Sequence, residues 1–315
     1  MGFFAVLQRM IELFLIIVVG YLVRKVGLIN TEGRGVLSKL VLNISLPATI
    51  LSAVMNADTL PEREQLIMIL LVAALSYVVL FAFAFATPKL LGVKKEQAGI
   101  YRFMMAFGNV GFIGFPVIEA VFGSDAIFYA SVFNLPFNFL CFSVGTAFVK
   151  QSARSTVSEE KTKDRKKQLM DIFLTPCMIA SVISILMAFL QLDAPGWLAG
   201  TMDMVGGVTT PVALLIIGMA LAEMPAKEMF TNPRIYLFSA MRLLVLPAVM
   251  YALFRPFVTD ALLLGICTVI AAMPVATSGT MLCMQYDSDE KLMAQGTFLS
   301  TLFAILTIPL VAMFV

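Results

Sequence analysis

Asn109 stands in the string Gly108-Asn109-Val110-Gly111-Phe112-Ile113-Gly114-Phe115-Pro116, inside a run apolar enough to sit at mid-membrane depth. A polar amide at that depth needs a partner. It can hydrogen-bond a substrate carboxylate, or it can tie one helix to another. Asn109 precedes Pro116 by seven residues, about two helical turns, so both share a face. The interleaved glycines leave the backbone bare for a ligand or a crossing helix. A second string, Pro274-Val275-Ala276-Thr277-Ser278, sets two hydroxyls after a proline. Backbone N–H groups that open a half-helix have no helical partner and carry the positive end of its dipole. Such an end favours an anion. The hydroxyls of Thr277 and Ser278 can contact that anion or bond back to their own helix.

Three further residues carry chemistry. Asn43 lies one turn before Pro47 and can reach a ligand from an opposite wall or repair the proline break. Arg242, in Ser239-Ala240-Met241-Arg242-Leu243, is a charge within an apolar run; such a charge faces a cavity or a partner. It could attract an anion, pair with Glu119, Asp203 or Glu12, or snorkel to the surface. Glu119, one turn after Pro116, could carry a coupling proton, bind Na+, or simply mark the end of its helix. There is no histidine, which removes Ser-His triads, Cys-His pairs and His-ligated metal sites. Thr277-Ser278-Gly279 therefore lacks the usual base of a serine hydrolase. The four cysteines sit singly in apolar runs and read as packing residues. No catalytic residue, metal or cofactor is expected, and no Walker-type phosphate loop occurs.

The elements that must position these residues are helices in lipid. The chain is 60% hydrophobic and 13% charged, against about half and about a quarter in a soluble domain. A net charge of +2 gives no footprint for nucleic acid. A membrane span needs roughly 20 mostly apolar residues. Ten are predicted, over 4–24, 35–54, 65–87, 98–122, 125–149, 170–192, 197–222, 234–254, 259–285 and 292–314. Lys and Arg crowd the odd-numbered loops, the polar segment 150–168 above all, whereas the even ones hold Arg63 and Arg255. The odd loops are thus predicted cytoplasmic, with both termini outside a cell inner (plasma) membrane.

The segment 150–168 divides the chain into five-helix halves, 1–149 and 169–315. The halves echo each other. Ser45-Leu46-Pro47 in the second helix matches Thr209-Thr210-Pro211 in the seventh, and Pro116 in the fourth matches Pro274 in the ninth. An odd number of helices per copy forces the copies to face opposite ways. Inverted repeats with paired interrupted helices are a mark of secondary transporters, and the interruptions point to the substrate.

With these residues in view, the chain resembles the auxin efflux carrier family. Gly108 to Pro116 is similar to the family's fourth-helix motif. Lys39-Leu40-Val41-Leu42-Asn43-Ile44-Ser45-Leu46-Pro47 is similar to its second helix. Pro274 to Gly279, Gln285-Tyr286-Asp287 and Thr307-Ile308-Pro309-Leu310 resemble its ninth and tenth helices. The likeness spans nearly the whole chain and is to the compact bacterial branch, commonly regarded as malate or malonate permeases. It implies ten helices in two inverted repeats. Helices one, two, six and seven would form a scaffold, and three to five and eight to ten a transport domain. The fourth and ninth would be broken and cross near their prolines beside the substrate. It also implies elevator-like transport of a small organic anion, without import or export being specified. On this likeness, substrate meets Asn109, Val110, Gly111, Pro116 and Asn43 from the first half, and Pro274, Ala276, Thr277 and Ser278 from the second. Arg242 and Glu119 are the candidates for charge pairing or for coupling to H+ or Na+. A homodimer through the scaffold is the implied assembly. The alternatives are a sodium-coupled symporter of larger anions, of the bile-acid type, and a channel.

Overall fold

The computed structural model describes residues 3–56, 63–123, 125–153, 176–223 and 230–315. Among them every regular element is helical. The first half runs α1 (Phe3–Lys25), α2 (Thr31–Leu40), α3 (Leu46–Met55), α4 (Arg63–Leu90), α5 (Lys95–Ala106), α6 (Phe115–Phe122), α7 (Asp125–Leu140) and α8 (Thr146–Gln151). The second runs α9 (Pro176–Leu190), α10 (Gly196–Gly207), α11 (Thr209–Ala222), α12 (Pro233–Ala240), α13 (Leu246–Phe254), α14 (Ala261–Ala271), α15 (Ser278–Gln285) and α16 (Glu290–Ala312). Of the polar segment 150–168, the part from 154 onward lies outside the described residues.

Among the described residues there are four π turns: Val41–Ser45, Cys141–Gly145 and Met241–Val245, which join consecutive helices into longer rods, and Val110–Gly114, which opens α6. Three of them end two residues before a proline, namely Pro47, Pro116 and Pro247. A proline has no N–H to continue the α pattern and its ring crowds the carbonyl one turn back. Widening that turn to the i→i+5 pattern accommodates both defects without a break.

Five helices among the described residues are long and apolar enough to cross a membrane: Thr31–Met55, Glu64–Leu90, Gly196–Ala222, Pro233–Phe254 and Glu290–Ala312. They coincide with five predicted spans. The predicted spans 98–122 and 259–285 are each interrupted, at Phe107–Asn109 and at Ala272–Thr277. The polarity of the molecule is inverted relative to a soluble protein. Leu15, Leu71, Val78, Leu186 and Leu190 point outward, while Asn109, Asn134, Arg242, Gln295 and Ser300 are buried. That is the arrangement lipid favours, since its tails offer polar groups no partner.

Several helices that begin in connecting segments are capped by a side chain, whereas α5 and α10 are not. Asn30 accepts from Gly33 N–H (2.8 Å), Asp260 from Leu262 N–H (2.9 Å) and Asp289 from Leu292 N–H (3.1 Å). Each such cap satisfies a donor that the first turn leaves free. Helices α1 and α11 touch backbone to backbone. A Cβ on Gly218 would lie 2.0 Å from Ile17 O, and one on Gly20 would lie 2.3 Å from Leu215 O. Small residues at a helix crossing allow this approach, which replaces the missing hydrophobic drive between helices in lipid with close packing.

Candidate functional site

The two interrupted rods cross at their breaks. Asn109 N–H donates to Pro274 O (2.7 Å) and Ala276 N–H to Phe107 O (3.0 Å), so Gly108 and Val275 pair as a single antiparallel bridge. Val275 N–H, left over, donates to Ser300 Oγ on α16 (3.1 Å). The irregular backbone is thus satisfied by protein, as apolar surroundings demand.

The sequence places a break beside each proline, and for Pro274 the structure agrees. For Pro116 it corrects the expectation. Pro116 lies in the first turn of α6, and the rod breaks at Phe107–Asn109 instead. The Val110–Gly114 π turn absorbs the proline, whereas Asn109 N–H is diverted to the other rod. Gly108 leaves room for the guanidinium: a Cβ there would sit 2.3 Å from Arg242 Nη2 and 3.2 Å from Met273 Cβ, so Arg242 would have to shift.

Arg242, in the Met241–Val245 π turn, closes the back of the crossover. Its Nε donates to Met273 O (3.2 Å) and its Nη1 to Met105 O. Both carbonyls belong to helix ends: Met105 to the last turn of α5, Met273 to the residues just past α14. In an unbroken helix Met105 O would receive Asn109 N–H, the donor spent on Pro274. Of the acids considered as its partner, Asp203 accepts from Ser52 Oγ (3.2 Å) and Glu12 from Gln8 (3.2 Å). The side chains of Glu119 and Pro116 lie outside the described residues.

The front of the crossover opens on a cavity of about 40 Å³. Asn109, Val110, Gly111, Ala276, Thr277 and Ser278 line it, facing Leu46, Thr49, Ile50 and Ala53 of α3 and Asn134 and Phe137 of α7. Such a space has room for about three waters. Its polar atoms are under-used. Among the described residues, Asn109 Nδ2, Asn134 Oδ1 and Thr277 Oγ1 are buried and find no hydrogen-bond partner. Buried polar atoms are seldom left so, and each such atom asks for an explanation. Both second half-rods also start here without a side-chain cap, at Asn109 and at Thr277, unlike the helices opened by Asn30, Asn232, Asp260 and Asp289. Two helix N-termini therefore converge on one mostly apolar cavity that carries a few polar atoms and that none of the described carboxylates lines.

Six of the sequence-predicted residues meet at this cavity. Pro274 contributes its carbonyl to the crossover behind it, and Arg242 stands behind that. Asn43 is not brought there. It is exposed, its Nδ2 donates to Lys39 O one turn back (2.8 Å), and it borders a separate small cavity with Gln285 and Tyr286. Thr49, about two turns beyond Val41 along the same rod, occupies the wall facing the crossover. Its hydroxyl is 2.9 Å from Thr209 Oγ1 and donates to Gly206 O, so the interruptions of the second and seventh spans meet as well. Asn134 and Thr49 were not singled out in the sequence. Asn134 could have been, because Asn134-Leu135-Pro136 repeats the signal of a mid-span amide just before a proline.

An outward-apolar helical molecule with a small cavity, bearing a few polar atoms, at the crossing of two broken rods has the build of a membrane transporter. Residues 5–312 match the family described as membrane transport protein. The chain belongs to that family, the auxin efflux carriers whose motifs it carries, and is a multi-pass membrane protein. It is 24% identical over 302 residues to an uncharacterized transporter of Methanocaldococcus jannaschii, with 94% of each chain covered. It is 25% identical over 300 residues to a candidate malonate transporter of Rhizobium meliloti, with 94% of this chain and 91% of that one covered. It is 19% identical over 307 residues to an uncharacterized transporter of Escherichia coli K12, with 96% and 95% covered.

Proposed function

We propose that this protein is a secondary transporter of small organic anions, with a short dicarboxylate such as malonate or malate as substrate. The observation that carries the reading is the set of unpartnered polar atoms, Asn109 Nδ2, Asn134 Oδ1 and Thr277 Oγ1, gathered where two uncapped helix N-termini meet. An amide N–H, a hydroxyl and two positive dipole ends suit a carboxylate without needing a fixed cation in the cavity. The likeness to a candidate malonate transporter points the same way. The small cavity favours a short acid over the larger anions of a bile-acid-type sodium symporter.

For the rest of the proposal, the spans and their orientation rest on the sequence pattern, and the scaffold and the elevator step on the family resemblance. Ten spans form two inverted repeats, 1–149 and 169–315, joined by a cytoplasmic linker, with both termini outside the inner membrane. Spans one, two, six and seven stay fixed while the other six carry the crossover across in an elevator-like step. The glycine-locked contact of α1 with α11 supports a rigid scaffold. The cavity must widen to accept a dicarboxylate, and the boundary between α3 and the crossover is where that opening would occur.

The test is counterflow into vesicles preloaded with unlabelled malonate. Wild type should accumulate labelled malonate. Asn109→Ala should raise KM about 10- to 100-fold, the worth of one hydrogen bond to a charged group, with the protein still monodisperse. Correctly folded wild type that carries neither malonate nor malate would remove the dicarboxylate reading. Full activity of Asn109→Ala would move the site away from the crossover.

A further inference from the structure

Arg242 lines no part of the cavity, yet it is among the most deeply buried side chains of the molecule. A buried cation is costly unless its charge is met. Among its described partners there is no carboxylate; Met105 O and Met273 O receive its hydrogen bonds. Met105 O lies in the last turn of α5 and Met273 O just past the end of α14. Each helix C-terminus carries roughly half a negative charge, so the two together offset about one cation. The arrangement has a second side. The rods that end at Arg242 resume across the crossover as uncapped N-termini on the cavity. Four helix ends thus meet within a few residues of one another, and two of the four are neutralised.

We infer that Arg242 is the electrostatic positioning residue of the anion site. By cancelling the two negative ends, it leaves the two positive ends as the net field in the cavity, and it fixes the breaks at Phe107–Asn109 and Ala272–Thr277 so that those ends point inward. Removing its charge exposes the anion to the partial charges of all four ends, which largely cancel. The glycine at 108 belongs to the same device, since a methyl group there would displace the guanidinium. This inference rests on the crossover being the anion site.

The experiment measures KM for malonate and for its monoamide, which carries one negative charge fewer, in vesicles holding wild type, Arg242→Lys, Arg242→Gln or Gly108→Ala. Gln can still donate to one of the two carbonyls, and Lys keeps the charge. Arg242→Gln should raise KM for malonate about tenfold and for the monoamide by only about the square root of that factor, because a field acts in proportion to charge. Arg242→Lys should recover most of the loss. Gly108→Ala, with the arginine retained but displaced, should show the same ordering of the two substrates at smaller size. Equal KM changes for the two substrates, or a Lys variant as poor as Gln with kcat rather than KM reduced, would make Arg242 a mere brace and overturn the inference. If Arg242→Gln fails to fold, the comparison of Lys, Gly108→Ala and wild type decides alone. Wild type that carries neither substrate would instead sink the transport reading, so the two failures are distinguishable.

Discussion

Two arginines are buried to the same depth, Arg34 at 2% exposure and Arg242 at 1%, and their charges are met in opposite ways. Arg34, on α2, bonds the carboxylates of Glu223 at the end of α11 (2.9 Å) and Glu290 at the start of α16. Arg24 at the end of α1 shares Glu223 (2.9 Å), so four helices are joined by side chains alone. Both glutamates are about a quarter exposed, 27% and 25%, on a polar cavity of about 270 Å³ that Asp287, Lys291 and Cys283 also line. Arg242 has backbone for partners. A carboxylate can be hydrated, protonated or turned away, while a helix end can do none of these as long as its helix stands. Charge that must stay fixed beside a binding site is thus held by main chain. Charge that joins elements at a watery edge is held by side chains and can let go.

Replacing each arginine by methionine should separate the two cases most widely. Arg242→Met leaves two carbonyls buried with no partner, at about 1–3 kcal/mol each. Arg34→Met leaves two glutamates that can still reach water, and should cost about 1 kcal/mol. Thermal unfolding in detergent should therefore drop steeply for the first and slightly for the second; equal drops would abolish the distinction. A smaller effect is expected at the neighbouring glycines. Gly108→Ala should lower the unfolding temperature, because the new Cβ meets Arg242, whereas Gly111→Ala has nothing within 4 Å and should leave folding intact. Smallest is Glu290→Gln, worth about 1 kcal/mol or less for a partly exposed pair. It should speed maleimide labelling of the buried Cys283 severalfold by loosening α16 from α2. Salt at about 0.5 M should mimic part of that loosening and leave the Arg242 variants unmoved. A labelling rate indifferent to both would mean that the Arg34 cluster does not hold this edge shut.

How much of this was legible beforehand depends on where the information lies. Lipid-facing length is written in composition, so predicted spans such as 65–87 and 234–254 fall on Arg63–Leu90 and Pro233–Phe254. Asn109 and Thr277 were legible because a polar side chain within an apolar run has few ways to be satisfied. Pro116 misled because a proline disrupts the α pattern but not a π turn, and no residue type marks a π turn in advance. Asn43 was left open between a ligand contact and a local backbone role, and its amide is bonded to a carbonyl one turn back. The partners of Arg242 were illegible for a plainer reason: a backbone carbonyl freed by a break belongs to no particular residue type. Arg34 was read only as one of the basic loop residues and Glu223 not at all, since their meeting depends on how distant helices pack.

The Val41–Ser45 turn has a consequence for the phase of its rod. An α-helix advances about 100° per residue, so an uninterrupted one would set Leu46 about 120° around the axis from Arg34. The π turn takes up one extra residue and subtracts about one such step. Leu46 and Ala53, which line the cavity, thereby come onto the same stripe as Arg34, which anchors the ion cluster. One rod can then present the binding wall and the charged edge to the same neighbours. Losing a single residue anywhere in 41–45 would rotate the two halves of that stripe apart. For this rod the length of the turn matters more than the identity of any side chain in it.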